Sequence, residues 1–257
     1  LGRSFFEKTD QIASQLGLKT SDLLNIFVIE TKGSLDSTIQ IGKGPIGLIQ
    51  FLGATRVDVL GHSPNLPSLL RDHHELANLK IEFPDEKKLP ASIRGKTAKI
   101  GEFSNPAIAL QHYQYATSQS QVRLRDVTGE VFKSITPEQQ IELVGVYLER
   151  SLSSKHKDMV GAYLAVLYPK ALQSISNSTN KDPVVFEIGS AEYKANPKYQ
   201  RTGLVELSEK EKKTMRKEDI VIKDGKSYKE VNLPVTVSSL RQVLERENTK
   251  FLPNGRS

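Results

Sequence analysis

The alternation of apolar and polar positions opens with two helices. Phe5, Phe6, Ile12, Ala13 and Leu16 recur at helical spacing over residues 4 to 16, and Gly17 stands where a left-handed C-terminal cap belongs. Thr20, Ser21 and Asp22 then offer N-cap chemistry and first-turn negative charge. Leu23, Leu24, Ile26, Phe27, Val28 and Ile29 follow, apolar on most sides of a helix, which predicts burial. This helix runs straight into Glu30 and is stopped by Thr31, Lys32, Gly33 and Ser34. Between residues 35 and 45 the alternation Thr38-Ile39-Gln40-Ile41 predicts a short strand or hairpin. Gly47 is expected to release the chain into a second helix over 48 to 59, closed by Gly61 and Pro64.

The pattern weakens from 62 to about 100, where Pro64, Pro67, Pro84 and Pro90 interrupt it and only a short helix around 69 to 79 is expected. A helix over 106 to 118 starts at Asn105-Pro106. Thr136-Pro137-Glu138-Gln139 is a stronger start, a capping box with proline at the first helical position, and the helix that follows carries Ile141, Val144, Tyr147 and Leu148 on one face. Residues 159 to 167 form the next apolar helix, which Pro169 ends or bends. Beyond Ser174 the chain turns polar, and a boundary is placed there. The remainder predicts a strand at 184 to 188, a mixed-charge helix at 208 to 217, a hairpin at Asp224-Gly225 and a last helix over about 237 to 247. These elements predict a mainly α protein with a small β component, an α+β chain: a domain over 1–175 with an insertion at 62–135, and a C-terminal extension at 176–257.

Composition narrows the class. With 257 residues, 37% hydrophobic and 26% charged, the chain can bury a sizeable core. Cysteine is absent, which excludes disulfides, thiolate nucleophiles and cysteine metal sites. No apolar run approaches the roughly 20 residues of a membrane span, so none is expected. Leu1-Gly2-Arg3-Ser4 does not read as a signal peptide, so a target outside the cell would require delivery by another component. A net charge of +6 favours an acidic partner, but lysine and glutamate alternate too evenly over 208 to 219 for a nucleic-acid patch.

Glu30 is the centre of the chemistry. A carboxylate at the end of an apolar helix opposes the helix dipole, and if it faces a cleft it is partly desolvated, which raises its pKa toward that of a general acid for a glycosidic oxygen. The alternative is a glutamate that exits to solvent. Gly47 and Gln50 add to the first reading: free backbone N–H groups in a first helical turn, and an amide able to donate to and accept from a sugar.

The joint pattern, Phe27-Val28-Ile29-Glu30-Thr31 and then Gly47-Leu48-Ile49-Gln50-Phe51 with Thr55, Leu60 and Gly61, resembles the catalytic core of the lysozyme-like superfamily. The nearest kinds are the soluble lytic transglycosylase and goose-type lysozyme domains of phage tails and virions. The stretches from Thr136 to Tyr147 and from Ala162-Tyr163 to Leu172 are similar to the closing helices of that family, and Val184 to Phe186 with Tyr193 and Asn196 resembles a tail segment of some phage versions. The resemblance implies a lysozyme-like fold, Glu30 as acid and base, and sugar contacts from Thr31, Gly47, Gln50 and Tyr163, with neither metal nor cofactor. It implies cleavage of peptidoglycan between N-acetylmuramic acid and N-acetylglucosamine, either to a 1,6-anhydro product or by hydrolysis. It also implies a virion location, phage structural proteins as partners, and action at the host cell wall or periplasm.

Departures leave a second reading open, a non-catalytic structural virion or wall-binding protein on the same fold. Thr31 stands where serine is usual, Val166 where asparagine or histidine is usual, and Lys32 places an ammonium next to the acid in sequence. Asp36 is the nearest further carboxylate and reads as a turn residue, which leaves the substrate's own N-acetyl group to assist departure. His73-His74 with Asp72 and Glu75 reads as exposed helix rather than a metal cluster, and His112, Tyr113 and Tyr115 as either core or cleft wall.

Overall fold

The computed structural model describes residues 2–40, 44–208, 211, 214–224 and 226–250. It is 55% helical with 13% strand in small sheets, an α+β protein of mainly helical character. Helix α1 (Arg3–Leu16) ends at Gly17 in the left-handed region and packs across α8 (Pro137–Ser151). Helix α2 (Thr20–Glu30) buries Leu23, Ile26 and Phe27 against α9 (Met159–Leu167), whose first seven residues are all buried. The Thr136 capping box forms as its sequence requires: Gln139 N donates to Thr136 Oγ1 at 3.2 Å and Thr136 N to Gln139 Oε1 at 2.8 Å.

The helix expected over 48 to 59 starts later. Residues 46 to 51 close a tight turn instead, with Phe51 N donating to Ile46 O at 2.8 Å and Ile46 N to Phe51 O at 3.2 Å. Gly47 at φ 91° and Gln50 at φ 52° are both left-handed, which a right-handed helix cannot contain. Helix α3 therefore runs Gly53–His62.

The segment 62–135, expected as an inserted lobe, is a layer of the core. It contains α4 (Leu66–Asp72), α5 (His74–Ala77), the antiparallel pair β1 (Lys80–Glu82) and β2 (Thr97–Lys99), α6 (Pro106–Gln111) and α7 (Ser118–Ser134). Helix α7 has no counterpart in the sequence reading. Its apolar stripe is thin, Leu124, Val127, Val131 and Phe132, and packing against α3 holds it.

The boundary near 175 also moves. After α10 (Pro169–Ser176), β3 (Val184–Phe186) pairs antiparallel with β7 (Val235–Thr236), and α12 (Val237–Thr249) packs on both α2 and α9. One cluster of buried side chains runs from Phe5 to Leu244. Between these returns lie α11 (Ala191–Ala195), a tight turn at Pro197–Tyr199, and a three-stranded antiparallel sheet with β6 (Lys226–Leu233) between β4 (Arg201–Glu206) and β5 (Ile220–Lys223). The hairpin at Asp224 pairs Lys223 with Lys226 as expected, whereas the expected helix at 208 to 217 falls partly outside the described residues.

Candidate active site

Helix α2 delivers Glu30 as its last residue, on the side where α9 and the turn at Pro197–Tyr199 close over it. The residue is half-buried and accepts no hydrogen bond from a described residue. Burial raises its pKa from 4.5 to about 7, against an opposing pull from the Lys198 ammonium. Lys32, expected to be that opposing cation, is instead exposed on the turn beyond the helix at φ 52°. Lys198 lies 168 positions downstream of Glu30, and no pattern in the sequence joins the two.

Behind the acid stand three tyrosines. Tyr163 on α9 and Tyr199 are buried, with edge-to-face rings whose centres are 6.2 Å apart, and their hydroxyls are hydrogen-bonded to each other. Burial first, then the neighbouring Tyr199 and Glu30, push the Tyr163 phenol well above its ordinary range. Tyr168 donates to Asn196 Oδ1 at 2.8 Å and packs edge-to-face on Phe186. The resemblance implies that Tyr163 lines the substrate cleft and positions sugar. At 1% exposure it instead forms the floor behind the carboxylate, and its own hydroxyl is engaged. Asn196 and Tyr199 come from the stretch assigned by sequence to an extension, so that stretch completes the site.

Thr31 is fully buried. Its hydroxyl donates to Phe27 O at 2.6 Å and accepts from Leu35 N at 2.9 Å, so it shapes the turn after α2 and has no free group for a ligand. Among the described residues, non-glycine backbone at positive φ occurs at Lys32, Leu35, Gln50 and Asp224, and the first three lie in the two turns that carry the expected site residues.

The second of those turns is held from below. Gln140, fully buried on α8, accepts from Leu48 N at 3.1 Å and donates to Ser37 O at 2.5 Å and Phe132 O at 2.7 Å. Gly47 is required here, because a Cβ would collide with the Gln140 amide and φ is positive. Gly47 is thus a packing position, not a source of first-turn N–H groups. Gln50 Nε2 donates to Gly47 O at 2.8 Å and Ile39 O at 3.3 Å, which engages both its hydrogens in the turn, while its Oε1 is buried without a partner. Gln50 and Val166 line a small cavity of about 40 Å³ with Phe51, Thr55 and Tyr147. The buried Arg56 braces the same turn through Gly44 O and Phe51 O and ties it to α7 at Arg125 O. Gln140 and Arg56 escaped the sequence reading because a polar residue on a buried helical face has no local mark. The capping box one residue earlier was the only nearby signal.

Asp36 is an exposed turn residue, its Oδ1 accepting from Thr38 N and Thr38 Oγ1, both at 2.8 Å. Tyr113 packs against the core and Tyr115 holds the Lys88 ammonium 4.5 Å from its ring centre. His73 pairs with Glu75, and no group of three metal-binding side chains occurs among the described residues. Nor is any described helix long and apolar enough to cross a membrane. A larger cleft of about 610 Å³ is lined by Leu167, Tyr168, Ala171, Val185 and Phe186. Its lining also includes Glu187 and Glu192, both exposed, so neither carboxyl is desolvated as that of Glu30 is. Comparison with protein-family models, with curated proteins and with solved structures finds no match.

Proposed function

We propose that the chain is a peptidoglycan lytic transglycosylase, virion-associated, that opens the β-1,4 bond between N-acetylmuramic acid and N-acetylglucosamine during infection. Glu30 carries the reading. With a pKa of about 7 it is roughly half protonated at neutral pH and half-buried, and no described donor bonds to it. An ordinary glutamate would be almost wholly ionised there.

Glu30 donates its proton to the bridge oxygen as the C1–O bond breaks, and the substrate's N-acetyl oxygen closes on C1. The resulting Glu30 carboxylate then takes the proton of the muramyl 6-hydroxyl. That oxygen attacks C1, displaces the N-acetyl oxygen and leaves a 1,6-anhydro end, so the acid is regenerated and no water is consumed. The exposed, turn-bound Asp36 supports this route over a two-carboxylate mechanism. Tyr163 and Tyr199 keep water from the rear of the carboxylate.

Digestion of purified peptidoglycan followed by mass spectrometry tests the proposal. Anhydro-muropeptides, one water lighter than reducing ends, are expected. Reducing ends would make the chain a hydrolase. No release of fragments, with sacculus binding retained, would favour the wall-binding alternative.

A further inference from the structure

Lys198 is held on a firm base at the edge of the Glu30 site. It lies in the turn Pro197–Tyr199, which Asn196 anchors by accepting from Tyr168 at 2.8 Å and donating to Glu192 O at 2.7 Å. Its ammonium stands 4.8 Å from the centre of the Tyr199 ring, whose hydroxyl is bonded in turn to Tyr163. The side chain is exposed and forms no ion pair among the described residues.

A cation beside a general acid is unfavourable in the free enzyme, because it stabilises the ionised carboxylate. The arrangement becomes favourable if an anion enters with the substrate. Wall glycan supplies a carboxylate on each muramyl side chain: the lactyl group where the stem peptide is absent, and the stem-peptide acids where it is present. Polymers of N-acetylglucosamine supply none. We infer that Lys198 is the specificity-determining contact beside Glu30, pairing with a muramyl side-chain carboxylate and so separating wall glycan from neutral N-acetylglucosamine polymers. This rests on the function proposed above. A bound carboxylate also offsets the cation, so the correct substrate leaves Glu30 more readily protonated than a neutral one does.

Binding to the Glu30→Gln protein, which retains Lys198, isolates this contact from turnover. The probes are three tetrasaccharides: one of N-acetylglucosamine alone, one alternating with peptide-free N-acetylmuramic acid, and the alternating glycan with its stem peptides. Adding Lys198→Met should weaken the charged probes by about three- to tenfold, as loss of a partly exposed charge-assisted contact does, and leave the neutral probe unchanged. Lys198→Arg should restore most of the difference. A loss confined to the peptide-free probe assigns the lactyl group, and one confined to the stem-bearing probe assigns the peptide acids. Equal losses on all three probes, or none, would overturn the inference and leave the glycan reading standing. If no glycan binds with either residue at 198, the functional reading fails and this inference fails with it.

Discussion

The two turns that carry the expected site residues differ in what their side chains are free to do. At the end of α2, Glu30 accepts no described hydrogen bond, is half-buried and holds its proton to about pH 7. In the turn at 46 to 51, Gln50 bonds to two backbone carbonyls and Gly47 gives way to the Gln140 amide. One turn leaves its carboxylate without a described donor, and the other uses its amide to hold its own backbone. A polar residue type at a suggestive spacing does not separate these roles, whereas the partners already satisfied do.

The helix-end wall depends on the far end of the chain, and this gives the largest expected effect. Leu240 and Leu244 of α12 are wholly buried and Val243 nearly so, and at roughly 1.5–3 kcal/mol for each buried aliphatic side chain their loss is comparable with the stability of a typical domain. Truncation after residue 236 is expected to abolish cooperative unfolding in a denaturant titration. A truncated chain that still unfolds cooperatively and cleaves peptidoglycan would separate Glu30 from the C-terminal packing and restore a boundary near 175.

Glu30→Gln should lower glycan cleavage by a factor of about 100 to 10,000 in a peptidoglycan turbidity assay. The same variant has a stability signature. A carboxyl whose folded pKa lies above its unfolded value binds more protons when folded, so its contribution to stability falls as pH rises from 4.5 through about 7. Glu30→Gln is therefore expected to be more stable than the parent at pH 8, by up to roughly 3 kcal/mol, with the gap closing toward pH 5. Equal stability at both pH values would show that Glu30 is not desolvated.

Beneath the turn at 46 to 51, Gln140→Leu leaves Leu48 N–H, Ser37 C=O and Phe132 C=O without their buried partner. At roughly 1–3 kcal/mol for each unsatisfied group, a loss of about 3 kcal/mol or more is expected in chemical denaturation. A loss below about 1 kcal/mol would show that the turn holds without its clamp.

The smallest effect concerns the cation. Removing Lys198 removes the pull that opposes Glu30 protonation, so Lys198→Met should move the titration profile of the Glu30 carboxyl, followed by NMR in the free protein, to higher pH. A profile that stays in place would detach Lys198 from the acid.

Sequence alone determined the elements whose signals are local. The α2 helix ending at Glu30, the Gly17 cap, the Thr136 capping box, the apolar α9, the Asp224 hairpin and the last helix each follow from residues within a few positions of one another. These contacts lie within one turn of chain, so periodicity and capping chemistry specify them. Tertiary structure decided the rest. It placed Gln140 beneath Gly47, Arg56 inside the loop, α7 on α3, and Lys198 and Tyr199 beside an acid more than 160 positions away. The environment of Glu30 is of this second kind. Its identity and helix-end position are written in the chain, but its proton affinity comes from desolvation by segments that meet only when α9, the Pro197–Tyr199 turn and α12 pack together.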